Sequence, residues 1–473
     1  MRIKLALASA ILVASLPVLA APVIKGNTQI DSRILDRNIS YGNPKSTDDV
    51  ARIIVETYEK FGYLGVKASI DGDVITVIEP GSEISGDYNK GWVNQGKGQV
   101  LEIETLNQSM AMADVNNRFE VMDVVVEDLR NDGRVGVELK RQKTNKPYVG
   151  NVTYSSLGQD ASARDLVTLS GGVHVGAGVR VDAALTHGAS SLRSESKGGR
   201  YRSIYANAKK ATPYGEFNAS VSDSTNEIGG KDATLYDYQL AGDTRRYAVG
   251  HRYVVQGVGT FSNQLGWTKR EQSFGLFNLE EEQSYKTWNT RYLGKFGAHQ
   301  LNASITKGLG GSRDFNLIPL MGEFNPNFYS MQLGYATSGV FPIDSVGYGV
   351  SISAFHGSKD MPSSERMSLG GPGRGSSHNN GVVSGYKGQF GEARLYGMRN
   401  LSPIADLSLR PYLSVNGGTT TNASGVSLDV YSAEAGLLGR WDSVTGSLSY
   451  ADTISTKNID KDRRMNMNLN YEF

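Results

Sequence analysis

The chain ends on Met465-Asn466-Met467-Asn468-Leu469-Asn470-Tyr471-Glu472-Phe473, where apolar and polar residues alternate without a break. A period of two is the mark of a strand with one apolar and one polar face. The same texture reaches back to about Pro147. Alternating segments such as Val173 to Leu185, Arg202 to Ala208, Phe217 to Val221, Leu301 to Ile305, Tyr348 to Ala354 and Leu407 to Leu413 are divided there by Gly, Asn, Asp and Ser clusters, and none keeps a helical period. At roughly 20 residues per strand and connection, residues 147–473 hold about sixteen strands, an even number suited to a barrel that spans a membrane. The expected fold is therefore an all-β transmembrane barrel of about 16 antiparallel strands. Met465, Met467, Leu469, Tyr471 and Phe473 should then face lipid, and the asparagines and Glu472 the lumen. A soluble sandwich is the alternative, but such domains seldom exceed about 250 residues. Aromatic pairs at strand ends, Tyr201 with Tyr205, Tyr236 with Tyr238, Trp288 with Tyr292 and Phe324 with Phe328, are expected to form interfacial girdles.

Ahead of the alternating region the pattern changes. Val23-Ile24 reads as a short strand. Ser46-Thr47-Asp48-Asp49 then caps a helix whose apolar face is Val50, Ile53, Ile54, Tyr58 and Phe61, with Gly62 ending it. Val66 to Ile70 and Val74 to Ile78 form a hairpin around Asp71-Gly72-Asp73. Strand, helix and hairpin together predict a small α+β module over residues 21–88. A weaker copy over 89–146 places a helix on Leu101, Ile103, Leu106, Met110 and Met112. Its strands are Val121 to Leu129 and Arg134 to Leu139, around Asn131-Asp132-Gly133.

Arg2 and Lys4 precede an apolar run from Leu5 to Leu19, and Val18-Leu19-Ala20 offers small residues for cleavage, so residues 1–20 read as a secretory signal peptide. The absence of cysteine in an exported chain excludes a disulfide framework and thiol chemistry. The six histidines lie singly, without metal-ligand spacing, and no metal or other cofactor is expected. A net charge of +1, which becomes −1 once the two signal-peptide cations are gone, gives no bias toward nucleic acid. With 39% hydrophobic residues, 56 Gly and 24 Tyr, the composition suits a barrel whose strands are only half apolar. No Gly-x-Ser-x-Gly, His-Glu-x-x-His or P-loop pattern occurs, and Ser376-Ser377-His378 is the nearest approach to a nucleophile beside a base; the chain is not expected to be an enzyme.

One connection differs from the rest. In Ser364-Glu365-Arg366-Met367-Ser368-Leu369-Gly370-Gly371-Pro372-Gly373-Arg374-Gly375, glycines crowd around an arginine. Glycine permits a tight inward fold, and the arginine fork can pin it to a carboxylate or carbonyl cluster in a polar lumen. Here the chain resembles the outer-membrane transporters of two-partner secretion, the haemolysin secretion and activation family. Those proteins carry a signal peptide, two polypeptide-transport-associated (POTRA) modules and a 16-stranded barrel, and the resemblance covers nearly the whole mature chain. Tyr58-Glu59-Lys60-Phe61-Gly62-Tyr63 is similar to the helix end of a first POTRA module, and Glu365 to Gly371 to the approach to the sixth extracellular loop. The family loop motif, Val-Arg-Gly-Tyr, matches Gly373-Arg374-Gly375-Ser376 here, so the arginine and its following glycine are kept and the flanks are not. Arg410-Pro411-Tyr412-Leu413-Ser414-Val415-Asn416-Gly417-Gly418 resembles the strand whose aspartate binds the loop arginine. Asn416 stands in the acid's place. A neutral amide can accept a hydrogen bond from Arg374 but cannot pair with it as an ion.

The resemblance implies a pore lock at Gly373, Arg374 and Gly375, with Asn416 as its partner or another carboxylate recruited instead. It implies a barrel-assembly signal at Tyr471 and Phe473. The domains become a signal peptide (1–20), a first POTRA module (21–88), a second compact POTRA-like module (89–146) and the barrel (147–473). The expected function is an outer-membrane pore whose periplasmic POTRA modules recognise an unfolded exoprotein, such as a large β-helical adhesin or cytolysin, by strand addition at their sheet edges. Its further partners are the barrel-assembly machinery, during biogenesis, and outer-membrane lipid; nucleic acid is not one. An assembly factor of the same superfamily and a passive porin-like channel are the alternatives. Few residues separate Ala21 from the first predicted strand, so the folded-in loop, rather than a plug helix, is expected to occlude the pore.

Overall fold

The computed structural model describes residues 22–42, 44–86, 98–103, 106, 120–129, 134–143, 148–158, 163–176, 179–189, 199–212, 214–228, 239–255, 258–341, 346–397, 401–402, 404 and 406–473. The signal peptide, the turn at Asn131-Asp132-Gly133, the pair Tyr236 and Tyr238, and Met110 and Met112 lie outside them. The chain divides into two compact units, one built from residues 1–110 and 122–142 and the other from 111–121 and 143–473.

In the first unit, β1 (Val23–Lys25) is followed by α1 (Ser32–Gly42), α2 (Thr47–Lys60), β2 (Tyr63–Leu64), β3 (Lys67–Asp71) and β4 (Val74–Ile78). β1 runs parallel to β4, and β4 antiparallel to β3. The cap read from sequence forms at α2, where Asp49 N donates to Ser46 Oγ at 3.1 Å and Lys45 N donates to the Asp49 carboxylate at 3.0 Å. Gly72 turns the hairpin at φ 59°. Leu35, Val50, Ile54, Tyr58, Ile75 and Val77 close the core between helices and sheet.

Helix α1 is absent from the sequence reading. Its apolar positions, Ile34, Leu35 and Ile39, share one helical face, with Leu35 buried and the two isoleucines packed against the core, but the segment is short and has neither an acidic first turn nor a basic last turn to mark its ends. Phe61, expected on the buried face of α2, is instead its half-exposed C-cap.

A second small sheet joins β5 (Ser82–Gly86), β7 (Glu120–Leu129) and β8 (Val135–Lys143) in the order β5-β8-β7, while β6 (Leu101–Glu102) pairs with β2. β5 is parallel to β8, so both small sheets place a leading strand beside the last strand of the following pair. The expected boundary at residue 88 moves to about Pro80-Gly81, because Ser82–Gly86 hydrogen-bonds with Val135–Leu139 and belongs to the second sheet. Leu101, expected to start a helix, is in β6; Ile103 and Leu106 are helical.

The second unit is a barrel of sixteen antiparallel strands. Its wall begins with β9 (Tyr148–Ser155), β10 (Asp165–Gly176), β11 (Val179–Ala189), β12 (Arg200–Thr212), β13 (Gly215–Glu227), β14 (Leu240–Val255), β15 (Gly259–Phe274) and β16 (Leu279–Phe296). It continues through β17 (His299–Phe315), β18 (Tyr329–Val340) and β19 (Val346–Gly357). Two short strands, β20 (Met367–Leu369) and β21 (Val383–Gly385), pair with each other outside the wall sequence. The wall resumes with β22 (Lys387–Gly397), β23 (Leu407–Thr421), β24 (Ser427–Trp441), β25 (Val444–Lys457) and β26 (Arg463–Glu472). β26 closes onto β9, pairing Asn468 to Glu472 with Ser155 to Asn151, and Phe473 exchanges backbone hydrogen bonds with Gly150 at 2.9 and 3.2 Å.

The alternation is inverted relative to a soluble core. Val167, Leu169, Met331, Leu333, Leu413, Met465 and Leu469 are exposed on the outside, while Ser414, Asn416, Ser432, Arg464 and Asn466 are buried within. This is the side-chain arrangement of a barrel that meets lipid. Crossing needs about 10 residues per strand, and β14 to β17, at 16, 16, 18 and 17 residues, run well beyond that. On these tall strands the outer aromatics Tyr247 and Trp267 stack at 5.2 Å, and ion pairs follow immediately beyond them, Arg245 with Asp223 and Lys269 with Glu271 and Glu282. Half-exposed Trp288 sits on the same outer face, as a girdle residue should. Tyr205 turns inward and lines the lumen. Phe324 and Phe328 pack inside against Tyr285 and Met361, held there by the fold-back of residues 316–328, so neither is a girdle residue.

Glu79 is the polar centre of the first unit. It accepts from the backbone of Thr28 at 2.8 Å and of Gln29 at 3.0 Å, and from the hydroxyls of Thr28 and Tyr58. Burial alone would push its carboxyl up; these hydrogen bonds outweigh that and hold it below the ordinary value. Burial, and then the carboxylate beside it, pushes the Tyr58 hydroxyl up. A depressed carboxyl contributes stability that is full above the unfolded value of about 4.3 and is lost as pH falls through the folded one. Limited proteolysis of residues 22–80 in the intact protein should therefore quicken below about pH 4. Glu79→Gln should remove that acid step; an unchanged pH profile in the variant would contradict the assignment.

Candidate functional site: the folded-in loop

Residues 358–386 connect β19 to β22, and instead of leaving the barrel they enter it. Ser376, Ser377 and His378 are buried among inward-facing side chains of the wall. The sequence makes this compact turn possible through glycine. Gly370 sits at φ 96° with Asn379 O pressed against the place where a Cβ would stand, and Gly375 sits at φ 111° with the Val430 side chain equally close. Four backbone bonds tie the turn together: Gly370 N to Arg374 O (2.7 Å), Arg374 N to Gly371 O (3.1 Å), His378 N to Gly375 O (3.0 Å) and Gly371 N to His378 O (3.0 Å).

The tip is held by the last four strands. Asn416 Oδ1, on β23, accepts from Gly375 N, Ser376 N and Ser376 Oγ, each at 2.9 Å. Its Nδ2 donates to Ser414 Oγ at 3.3 Å and to Glu434 Oε2 at 3.4 Å, which fixes the orientation of the amide. On β24, Ser432 Oγ accepts from Ser377 N at 3.1 Å and lies 2.7 Å from Ser377 Oγ. On β25, Thr453 Oγ1 is 2.9 Å from Ser377 Oγ. On β26, Asn466 Nδ2 donates to Ser376 O at 3.1 Å, and Arg464 donates both to Asn379 Oδ1 and, at 2.8 Å each, to the carbonyls of Ser156 and Gly158 beyond β9. Met367, Leu369 and Val430 add an apolar contact beneath.

The base of the loop is fixed on the other side of the barrel. Arg270 Nη1 donates to Ser363 Oγ at 3.0 Å, and the Tyr285 hydroxyl donates to Glu365 Oε1 at 3.0 Å and lies 2.7 Å from Ser364 Oγ. Asn325 bonds Asp360 through backbone and side chain, at 2.8 Å each. The neighbouring fold-back is clamped by Glu281, which takes Arg313 at 2.7 Å and the backbone N–H groups of Leu320 and Met321. The segment thus spans the lumen between anchors on β15 and β16 and anchors on β23 to β26.

Gly373, Arg374 and Gly375 lie in this tip, and Asn416 lies against it, but the expected hydrogen bond from Arg374 to Asn416 is not formed. Backbone amides take the acceptor instead, because the positive φ of Gly375 turns two successive N–H groups toward it. The Arg374 guanidinium lies over Phe390, 4.2 Å from the ring centre, and has no carboxylate ion-pair partner among the described residues. A carboxylate is present in the second layer: Glu434 holds the Asn416 amide and also accepts from the Tyr412 hydroxyl at 2.6 Å. Ser377 and His378 are adjacent at 2.9 Å, yet the serine hydroxyl is occupied by Ser432 and Thr453 and the far imidazole nitrogen by Asp460 O at 2.9 Å. Their geometry serves docking. Tyr471 and Phe473 lie at the closing seam with rings stacked at 6.0 Å, and the Phe473 ring covers Gly150. The sequence reading missed Ser432, Thr453, Asn466 and Arg464, whose only signal is a polar residue at an inward position of a late strand.

No protein-family model and no curated protein matches the chain. Solved structures do. CdiB from Escherichia coli superposes with a TM-score of 0.74 at 17% identity, covering 95% of this chain and 89% of that one. CdiB from Acinetobacter baumannii gives 0.69 at 13%, covering 96% and 90%. BamA from Haemophilus ducreyi lacking POTRA domains 1-3 gives 0.52 at 10%, covering 96% and 100%. The shared fold is that of outer-membrane β-barrel proteins.

Removing the Asn416 oxygen leaves two buried N–H groups and a hydroxyl without their acceptor, at roughly 1–3 kcal/mol each. Asn416→Ala should therefore undock the tip and raise single-channel current in planar bilayers, whereas Arg374→Ala, which loses one ring contact, should change it much less. Equal effects of the two variants would make the arginine the lock.

Proposed function

We propose that this chain is the outer-membrane pore of a two-partner secretion system. The observation that carries the reading is the glycine-rich, arginine-bearing loop folded into a sixteen-stranded barrel and held on its final strands. The CdiB structures, which belong to two-partner secretion transporters, share that fold over nearly the whole chain, and BamA, on the side of the assembly-factor alternative, superposes less well. Most connections at the barrel end that carries Phe473 are short, 398–406 excepted, and the two longest, 316–328 and 358–386, lie at the other. Barrels of this kind keep short turns on the periplasmic side and long loops outside, so the folded-in loop enters from the cell surface.

The two small sheets of the first unit act as POTRA modules in the periplasm. Their outer strands, such as β3, present edges to which an extended segment of the unfolded exoprotein can add by backbone hydrogen bonding. The barrel carries the exoprotein outward, and folding at the surface draws it through. Tyr471 and Phe473, at the seam, are read by the barrel-assembly machinery, and lipid surrounds the apolar wall.

Deleting residues 22–146 separates capture from conduction. Secretion of the partner should be abolished while a heat-modifiable barrel still reaches the outer membrane; continued secretion would move recognition into the barrel. Deleting Phe473 is the complementary control, and it should lower the amount of assembled barrel with the modules intact.

A further inference from the structure

The space left open beside the docked loop has a chemistry of its own. A cavity of about 600 Å³ lies between the inward faces of β12 to β18 and the flank of the loop. Its lining carries six cations, Lys209, Arg246, Arg252, Arg291, Arg366 and Arg374, and two carboxylates, Glu216 and Glu365. Lys209 is partly neutralised by Asp182 at 3.3 Å. None of the five arginines has a carboxylate at ion-pair distance among the described residues, although Glu216 stands opposite Arg252 across β13 and β14 and attracts it. Arg366 gives two of its donors to the carbonyls of Met361 and Lys359 and keeps others free, Arg246 reaches the Gln264 amide at 3.4 Å, and Arg374 lies on the Phe390 ring. Between the arginines the wall is neutral amide, Asn218, Gln264 and Asn289, which can both donate to and accept from a peptide backbone.

Arginines at two levels of one wall and on the facing loop present guanidinium forks to the same volume. Such forks match carboxylates. We propose that this cavity is a binding site for anionic polypeptide, taking the Asp and Glu side chains of an extended segment on Arg246, Arg252 and Arg291 from the wall and on Arg366 and Arg374 from the loop. The inference rests on the reading of the lumen as a conduit, and it assigns the conduit a preferred cargo chemistry. Acidic segments of the exported chain dwell here longer than basic ones. The amide wall lets the intervening backbone exchange hydrogen bonds as it moves, and the side chains of Arg366 and Arg374 take no part in the bonds that hold the tip on β23 to β26, so cargo can be held without breaking them.

Binding of fluorescently labelled oligoglutamate, oligolysine and oligoserine to the purified full-length protein in detergent, followed by anisotropy, tests the site with no exported partner present. Oligoglutamate should bind, saturably and with loss of affinity at high salt, while oligoserine and oligolysine should not. Arg246→Gln with Arg291→Gln should weaken oligoglutamate by about tenfold, the scale of two partly exposed ion pairs. Arg246→Lys with Arg291→Lys should retain most of it, which separates lost charge from a misfolded barrel. Equal binding of oligoglutamate and oligolysine, or an oligoglutamate affinity unmoved by the glutamine pair, would overturn the proposal. Because no secretion is measured, this result and the outcome of deleting residues 22–146 can fail independently.

Discussion

Sixteen strands can sit in hydrocarbon only if no strand edge is left open, since an unpaired backbone group there costs several kcal/mol. Closure of β26 onto β9 meets that demand, and the chemistry of the lumen descends from it. A closed sheet facing lipid must place its polar alternates inward, so the lumen is lined with hydroxyls, amides and charges in place of a packed core. That lining lets a surface loop turn inward and find partners. The seam and the loop also share a side chain, because Arg464 joins Asn379 of the loop to the carbonyls of Ser156 and Gly158 beside the closing strand. The final strand therefore closes the sheet and carries part of the dock.

The bonds at Ser376 and Ser377 are neutral, and the charged contacts of the loop lie to either side of them, Arg464 on Asn379 and Arg270 and Glu365 at the base. Asn416 accepts two backbone N–H groups and a hydroxyl, Ser432 and Thr453 engage Ser377, and Asn466 holds Ser376 O. Each such bond contributes about 1 kcal/mol net, but each is buried, so releasing the loop costs more than the sum suggests unless water or another chain replaces the partners. An exported polypeptide has the required groups. A neutral tip also leaves the Arg374 side chain outside the bonds that hold it, on the Phe390 ring.

Much of the architecture was legible because period-two alternation is a strong signal when it repeats over three hundred residues. The count of sixteen and the lipid face of Met465 to Phe473 both came from that period. The cap at Ser46 was legible because its chemistry is local. Helix α1 was not, because it is short and no charged first or last turn marks its ends, and the end of the first module was misplaced because β5 finds its partner more than fifty residues away. At the site, the glycine cluster pointed to an inward loop and Asn416 was named as a possible partner of its arginine, with another carboxylate as the alternative; the contact that forms is neither. Side-chain logic paired an arginine with an amide, whereas the φ angles of Gly375 and its neighbours, invisible in sequence, turned backbone donors toward Asn416. Phe324 and Phe328 failed similarly: aromatic placement at strand ends says nothing of a loop that folds back over them.

The central claim is that hydrogen bonds without net charge hold the tip of the loop, residues 375–378, in the lumen. Amide hydrogen exchange of residues 375–378 in the intact protein, compared at low salt and at about 1 M, where the Debye length is near 3 Å, addresses it directly. The account predicts slow exchange that salt leaves unchanged. Rapid exchange at low salt, or protection that collapses as salt is raised, would contradict it.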